Sequence, residues 1–366
     1  MGDCEENGYA PTRDEIFSKA FQNYCSNEEK AGRWSLPTYK DWAYTSKLVS
    51  NYFGKVKIRN IQESNIRDFA RNYIKTHNAT VAKNSTIDRR LQHLRQYFNY
   101  LKEQGEIKVN PVPPRALHKF FRLDEFSTKQ GKYIFSDNEV EKIKNEMIRR
   151  LYSLPTTFWV SRIGSLIALD TGMRPQEIQV VKWSNLVDDG EFKVFKLEDS
   201  WSEKKHALNG HLKGRIHGFV RQTLPLSDET LRVLKIFHQR QRDFLNEKNI
   251  LSQNDYIMLN LVDLRLTRLG MPIGQANMNT IFKQVAKKVK VNNEGKQISC
   301  YTCRHTVASK WANTPGISLS FLAFRLGHSV NQLMKTYVHE DQDRSLKMMQ
   351  LMNNVEQESN KDKILS

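Results

Sequence analysis

Three prolines within five residues interrupt a chain whose first third otherwise follows a helical pattern. Residues 110–114 read Asn-Pro-Val-Pro-Pro. Because proline lacks a backbone N–H donor and fixes φ, this stretch can form neither a helix interior nor a central strand. The chain has 366 residues, which is long enough for two or three domains. We therefore divide it into an acidic N-terminal extension (1–32), a helical domain (33–110), a linker (111–131), a second domain (132–340) and a C-terminal tail (341–366).

The composition excludes several classes of protein. Hydrophobic residues make up 39% of the chain and aromatic residues 10%, which is too much for a wholly disordered protein. Apolar runs fall far short of the ~20 residues that span a bilayer, and the acidic N-terminus does not resemble a secretory signal. Four cysteines are too few for a disulfide framework, so we expect a reducing compartment.

The positive charge is concentrated in one part of the chain. The formal net charge is +17, and residues 33–122 hold 18 Lys and Arg against 6 Asp and Glu. Such a block attracts a polyanion at long range and gains free energy from counterion release on binding it. The alternative is a solvated basic surface without a partner. We favour a nucleic acid as the partner.

One helix of the basic block has a clear apolar face. In the segment TIDRRLQHLRQYFNYLKEQG, apolar residues recur at spacings of three and four, which is typical of an amphipathic helix. These apolar residues are Ile87, Leu91, Leu94, Phe98 and Leu101. The candidate DNA-contacting residues, which lie largely off that face, are Arg89, Arg90, His93, Arg95 and Gln96. A solvated helix surface is an equally good interpretation of them.

The pattern of the second domain predicts mostly helices with a small antiparallel β-sheet. A capping box at Ser136–Glu139 begins one helix, and residues 158–169 are apolar nearly all round, which indicates a core helix. Residues 191–197 and 219–226 alternate in the manner of strands. From residue 300 the chain is helical again.

The first candidate for chemistry is the segment 170–178. Gly172 is a left-handed stop signal for the core helix, and Pro175 suits the first position of the next one. Arg174 between them is held on a rigid corner beside a helix N-terminus, which favours an anion. Glu177 lies one turn into that helix and can orient the guanidinium. Taken alone, the segment is also compatible with an ordinary helix corner and a surface arginine.

Two further segments carry ionisable side chains. Tyr301 and Arg304 are three residues apart at a helix start and share a face. Gly327 ends a helix and places His328 at its end, with Tyr337 nine residues later. The pair Cys300 and Cys303 suggests zinc or redox chemistry, but it has no second Cys-x-x-Cys and opens a helix, so we expect no metal site.

Together these segments resemble the tyrosine recombinases, also called phage integrases, over roughly residues 35–345. The matching residues are Thr171-Gly172-Met173-Arg174 with Glu177, Arg304-His305, Leu326-Gly327-His328 and Tyr337. The resemblance implies a helical core-binding domain followed by an α/β catalytic domain. It also implies that the basic helical block binds DNA.

Two positions depart from the family pattern. Tyr301 stands where the family usually has His. The family also has a lysine on a β-hairpin, and here Lys213 is our choice, with Lys204 and Lys205 as alternatives. The hairpin is longer than usual, so spacing does not decide among the three.

The resemblance implies metal-free cleavage of a phosphodiester. Tyr337 would attack and form a 3′-phosphotyrosyl ester, while Arg174 and Arg304 neutralise the transition state. His328 would donate to the phosphate or shuttle the tyrosine proton, and Lys213 would protonate the departing 5′ oxygen. Because the ester keeps the bond energy, strand exchange would need neither ATP nor a cofactor.

We therefore expect a site-specific DNA recombinase, bacterial or encoded by a phage or mobile element and located in the cytoplasm with the nucleoid. The expected partners are double-stranded DNA attachment sites, a homo-tetramer on that DNA, and accessory factors for DNA bending or directionality. The tail would contact a neighbouring protomer. Two alternatives are a non-catalytic DNA-binding protein on a recombinase scaffold and a relaxing enzyme similar to type IB topoisomerases.

Overall fold

A computed structural model of the chain describes residues 11–127, 132–338, 346 and 349–354. The chain divides into two compact units, residues 1–130 and residues 131–366. In the described part of both units, no helix is long and apolar enough to cross a membrane. The fold is mainly helical with a small antiparallel sheet, so the predicted fold class is confirmed.

The first unit is built from helices around an aromatic core. Its helices are α1 (Phe17–Lys30), α2 (Leu36–Phe53), α3 (Glu63–His77), α4 (Thr86–Glu103) and α5 (Ala116–Phe120). The predicted apolar face of α4 is buried throughout, so that prediction is confirmed. Phe98 on this face stacks on Phe17 of α1 with ring centroids 5.2 Å apart. Ser85 caps α4 by accepting a hydrogen bond from the Asp88 backbone N–H.

The ends of this unit differ from the sequence-based boundaries. Residues 1–32 were expected to form an extension, but α1 buries Phe17 and Phe21 completely in the core. The burial follows from an apolar stripe at helical spacing in this segment. The sequence-based boundary gave more weight to the acidic charge of the segment than to this stripe. Likewise, α5 lies inside the predicted linker and buries Leu117 and Phe120. Residues 128–131 of that linker lie outside the described residues.

The second unit is organised around one central helix. Its helices are α6 (Asp137–Leu151), α7 (Trp159–Thr171), α8 (Pro175–Ile178), α9 (Asp228–Glu247), α10 (Leu264–Arg268), α11 (Gln275–Lys288), α12 (Cys300–Ala312), α13 (Leu319–Leu326) and α14 (Val330–Tyr337). Helix α7 packs against α6, α9, α11 and α12, which explains why it is apolar nearly all round. A Cβ at Gly164 would lie 2.5 Å from Met258 Cε and 2.8 Å from Met278 Sδ, so a larger residue there would require these methionine side chains to move.

The strands of the second unit form two small antiparallel sheets. They are β1 (Leu186–Asp189), β2 (Phe192–Leu197), β3 (Trp201–Ser202), β4 (Ala207–Leu208) and β5 (Arg221–Gln222). The order of the larger sheet is β1-β2-β5, and β3 and β4 form a separate hairpin. The predicted strand 219–226 is reduced to β5, although Thr223 N still donates to Phe195 O at 3.0 Å. Pro225 lacks an N–H group and makes no such bond itself, and Leu226 N beyond it donates to Lys193 O at 3.0 Å.

Most of the predicted tail lies outside the described residues. Residues 346 and 349–354 are helical, and Leu346, Met349 and Met352 are exposed. The tail's contact with a neighbouring protomer stays a prediction.

Candidate active site

The corner between α7 and α8 places Arg174. Gly172 ends α7 with φ at +63°, a conformation that favours glycine. A Cβ at this position would also lie 3.0 Å from Leu326 Cδ2 and 3.1 Å from Val307 Cγ1. Arg174 is the N-cap of α8 and Pro175 its first residue, as predicted. The chain therefore turns at Gly172, and this corner packs closely against α12 and α13.

Glu177 holds two arginines from inside the protein. Its Oε1 accepts a hydrogen bond from Arg174 Nη1 at 2.9 Å, and its Oε2 accepts one from the Arg174 backbone N–H at 2.9 Å. Oε2 also accepts from Arg221 Nη2 at 2.7 Å. Burial alone would raise the pKa of Glu177, but the charges of Arg221 and Arg174 outweigh it and lower the pKa to about 2. The carboxylate is therefore ionised at neutral pH.

Arg304 is fully buried on α12 and contacts the ends of two other helices. Its Nη1 donates to Gly172 O at 2.9 Å, and its Nη2 donates to Leu326 O. Burial and the nearby charge of Arg174 lower its pKa. The guanidinium has no acceptor atom, so His328 Nε2, 2.8 Å from Nη2, must accept.

The neutral His328 therefore carries its proton on Nδ1. Burial and the charge of Arg304 lower the pKa of His328 to about 3. The Nδ1 atom is buried and has no hydrogen-bond partner among the described residues. A buried donor without a partner is costly, so this N–H group is available to an incoming acceptor.

Gly327 lets the arginines approach the end of α13. Its φ is +67°, and a Cβ there would lie 2.9 Å from Arg221 Nε and 3.2 Å from Arg174 Nη1. Its carbonyl accepts a hydrogen bond from Arg174 Nη2 at 2.9 Å. The Leu-Gly-His segment thus packs directly on the arginine cluster.

Tyr337 ends α14 with its side chain buried beside His328. The two rings are stacked, with centroids 5.5 Å apart. The phenolic oxygen lies 2.9 Å from His305 Nδ1, and the Tyr337 carbonyl accepts from Asn313 Nδ2 at 2.8 Å. Burial raises the pKa of Tyr337 to about 12, although the charge of Arg304 opposes the rise. Tyr337 therefore lies in the same cluster as His328 and the arginines.

Tyr301 is at the edge of this cluster. Its side chain is 37% exposed, and its ring packs edge-on against His305 with centroids 5.0 Å apart. Its ring contact joins it to the site through His305, whereas Arg304 is fully buried in α12. The role of Tyr301 as a candidate catalytic residue, at the position where the family usually has His, stays a prediction.

The three candidate lysines are exposed. Lys213 lies in the loop between β4 and β5, and Lys204 and Lys205 lie in the turn between β3 and β4. Within the described residues, none of the three contacts the arginine cluster. The loop that carries Lys213 reaches the site through Arg215, whose Nη2 donates to His328 O at 3.2 Å.

Two residues of the site had no assigned role in the sequence analysis. Arg221 is fully buried on β5, and His305 follows Arg304 in the motif. A charged residue inside a short apolar strand was the available signal for Arg221. The hydrogen bond of His305 depends on where α14 packs, which local spacing does not reveal.

The candidate DNA-contacting residues separate into two groups. Arg90 and His93 are buried, which corrects their assignment as surface contacts. Arg90 Nη2 pairs with Asp41 Oδ1, and His93 stacks on Trp42 with ring centroids 4.1 Å apart. The buried face of α4 is wider than the apolar stripe because Asp41 on α2 supplies a counter-charge. Arg89 and Gln96 are exposed, and Arg95 is half-buried with Nη1 donating to Val112 O at 3.3 Å.

The cysteine pair belongs to the core. Cys300 and Cys303 are both buried, and burial raises the pKa of each thiol, to about 12 for Cys300. Within the described ranges there is no group of three His, Cys, Asp or Glu side chains that could hold a metal ion.

Comparison with known proteins identifies the family. The model of the phage integrase family matches residues 135–344, and that of the phage integrase SAM-like domain matches residues 16–121. The tyrosine recombinase XerC of Thermodesulfovibrio yellowstonii is 23% identical over 309 residues, covering 82% of this chain and 85% of that protein. The chain belongs to the phage integrase family and is a tyrosine-type site-specific recombinase.

Solved structures share the fold. The Tn1549 transposon integrase in complex with a circular intermediate DNA has a TM-score of 0.69 at 17% identity, covering 92% of this chain and 99% of that chain. The XerH recombinase bound to a palindromic difH substrate has a TM-score of 0.64 at 17% identity, covering 92% and 85%.

Proposed function

We propose that this protein exchanges DNA strands at specific sites through a covalent 3′-phosphotyrosyl intermediate on Tyr337. The observation that carries the proposal is the position of the Tyr337 phenol. It stacks on His328, and His328 accepts a hydrogen bond from Arg304 at 2.8 Å. Tyr337, His328 and Arg304 are thus in mutual contact, and Arg174 joins the same cluster through Gly327, a grouping that supports binding of a phosphate.

The arginines supply the transition-state stabilisation. As Tyr337 attacks, negative charge builds on the non-bridging oxygens, and preorganised guanidinium donors offset it. Arg174 is held by Glu177 and Gly327, and Arg304 by Gly172 and Leu326. Both side chains are therefore held in position before DNA binds. Removing one should slow cleavage by about 10²–10³-fold, by analogy with oxyanion-hole donors.

His328 adds a neutral donor to the same phosphate. Its Nδ1–H is the unpartnered buried donor described above, and a non-bridging oxygen would supply the missing acceptor. Lys213 is our candidate for the acid that protonates the 5′ oxygen, with Lys204 and Lys205 as alternatives. The link from Arg215 to His328 favours the loop of Lys213.

The proposed substrate is duplex DNA with a specific attachment site. The net charge of +17 supports binding of a polyanion. The structural relatives named above are complexes with DNA. Arg89, Arg95 and Gln96 are the remaining candidate contacts on α4. We also propose assembly as a homo-tetramer on DNA, accessory factors for DNA bending or directionality, and action in the cytoplasm with the nucleoid.

The test is covalent trapping on lightly nicked DNA. Genomic DNA of the source organism is nicked at random and incubated with wild-type protein or with Tyr337→Phe. Nicks near a cleavage position release a short strand, so the reverse reaction cannot occur and the adduct accumulates. Protein is then captured under denaturing conditions, and the attached DNA is sequenced.

The outcomes separate the candidate functions. Adducts at a few defined sequences with wild type and none with Tyr337→Phe support the proposal. Equal adduct with both proteins refutes the assignment of the nucleophile. Adducts at unrelated sequences, with relaxation of any supercoiled plasmid, indicate a relaxing enzyme. Retention of DNA without any adduct indicates a binding protein.

A further inference from the structure

His305 is the side chain that touches the reacting oxygen. Its Nδ1 lies 2.9 Å from the phenolic oxygen of Tyr337, and the rings are 5.6 Å apart. Among the described residues, this is the one hydrogen bond of that oxygen. The contact joins residues 32 positions apart, so the packing of α14 on α12 creates it.

The phenol must lose its proton during the attack. Its pKa is raised to about 12, so the phenolate is a very small fraction near neutral pH. A positioned acceptor then contributes to the rate by taking the proton in the transition state. The acceptor has to lie about 2.6–3.2 Å from the phenolic oxygen.

His328 is poorly placed for this task. Its ring stacks on that of Tyr337 with centroids 5.5 Å apart, and its Nε2 lone pair already accepts from Arg304. His305 is a neutral ring, because burial and the charges of Lys132 and Arg304 lower its pKa to about 4. One nitrogen of a neutral imidazole has a free lone pair, and Nδ1 faces the phenol.

We propose that His305 Nδ1 accepts the hydrogen bond of the Tyr337 hydroxyl and takes its proton when Tyr337 attacks DNA. This inference rests on the proposed function. The O–H bond of Tyr337 breaks and its proton moves to Nδ1, while the phenolic oxygen forms a bond to phosphorus. The bond from phosphorus to the 5′ oxygen breaks, and that oxygen takes a proton from the general acid. In the reverse step, the His305 imidazolium returns the proton to Tyr337.

The incoming phosphate makes the transfer easier. In the DNA-free protein the charges of Arg304 and Lys132 oppose an imidazolium at His305. A phosphate bound between the arginines brings negative charge close to His305 and favours the protonated ring. Proton acceptance is thereby coupled to the presence of DNA.

The kinetic test compares two leaving groups in single turnover. The probe is a nicked duplex with a cleavage sequence recovered by the trapping experiment, made with either a normal 5′ oxygen or a bridging 5′ sulfur. Sulfur leaves as a thiolate and needs no general acid. His305→Gln keeps a hydrogen-bond acceptor but cannot take the proton. We expect it to cleave about 10²–10⁴-fold more slowly than wild type with both substrates.

Lys213→Ala is the matched control for the acid, since sulfur should restore its rate if Lys213 protonates the leaving group. Wild-type rates for His305→Gln, or restoration of its rate by sulfur, would overturn the role of His305. Wild type and Tyr337→Phe are measured alongside, so a missing Tyr337-dependent adduct counts against the proposed function itself.

A second measurement depends neither on cleavage nor on the folding of a His305 variant. Nitrogen-15 spectra of histidine-labelled, DNA-free protein report which ring nitrogen carries the proton. We expect His305 to be protonated on Nε2, with an Nδ1 resonance that shifts in Tyr337→Phe. A proton on Nδ1 would show that His305 donates to the phenol, and this result would refute the proposal.

Discussion

Glu177 and Arg221 form an ion pair, 2.7 Å between Oε2 and Nη2, whose side chains are 0% and 1% exposed. The pair lies directly behind Arg174, which the same carboxylate holds. Removing one partner of such a pair leaves an uncompensated charge inside the protein. The stability of the second unit and the position of the Arg174 side chain thus both depend on the Glu177 carboxylate.

Arg221→Met should destabilise the second unit by about 3–5 kcal/mol, since it leaves Glu177 with Arg174 as its remaining cationic hydrogen-bond partner. Urea unfolding measures the change. The control is Lys310→Ala, which removes the ion pair with Asp137, where the side chains are 48% and 77% exposed. That exposed pair should contribute less than about 1 kcal/mol. Equal effects of the two substitutions would contradict the importance of the buried pair.

Gly327→Ala should reduce both stability and DNA cleavage, because its Cβ would crowd Arg221 and Arg174. Gly190→Ala is the matched control, with φ at +64° and no atom within 4 Å of the added Cβ. Both variants carry the cost of a left-handed alanine, about 1–2 kcal/mol. Because this cost is common to both variants, a larger loss of stability and of adduct formation in Gly327→Ala would measure the crowding of the arginines. If Gly327→Ala behaves like Gly190→Ala in both assays, the arginines tolerate the contact.

Arg89 and Arg90 are neighbours in sequence with opposite environments. Arg89→Ala should weaken DNA binding and reduce the slope of log affinity against log salt by about 1, with little effect on unfolding. Arg90→Met should instead destabilise the first unit, because it removes the buried hydrogen-bonded cation of Asp41 and leaves the longer contact with Arg89 Nη1, at 3.6 Å. Salt-dependent DNA binding and urea unfolding of both variants measure this. A change in salt slope with Arg90→Met at unchanged stability would contradict the burial of Arg90.

Stability should fall as the pH is lowered from about 6.5 to about 4. The pKa values of His93 and His305 are lowered to about 4 and that of His328 to about 3, whereas the unfolded value is about 6.5. In this window the unfolded chain binds more protons than the folded protein, so acid favours unfolding. Each group contributes at most about 1.4 kcal/mol per pH unit. Urea unfolding at several pH values gives the slope of the free energy of unfolding against pH for wild type and for His328→Asn. This slope should be smaller for His328→Asn.

The corner residues could be predicted from sequence because their signals are local. Gly172, Pro175 and Gly327 each fulfil a backbone requirement that depends on adjacent residues alone. The apolar period of α4 and the all-round apolar character of α7 are likewise local patterns. The ordered set of Arg174, Arg304, His328 and Tyr337 then indicated the family.

The environments of Arg90 and His93 could not be predicted in this way. Both residues look like solvent-facing helix positions until Asp41 and Thr45 on another helix are placed beside them. Arg221 is the same case, since its acceptor Glu177 lies 44 positions away. Whether a polar residue is buried depends on partners far away in the sequence, and hydrophobic periodicity does not reveal these partners.

Carbonyl groups at helix ends surround the arginine cluster. Gly172 O at the end of α7, with Arg325 O, Leu326 O and Gly327 O at the end of α13, all accept from guanidinium groups. Helix C-termini carry partial negative charge, which lets three like-charged side chains coexist around one carboxylate. One carboxylate and these partial charges do not neutralise three guanidinium groups. The cluster at the ends of α7 and α13 therefore keeps a net positive charge, which favours binding of an anion.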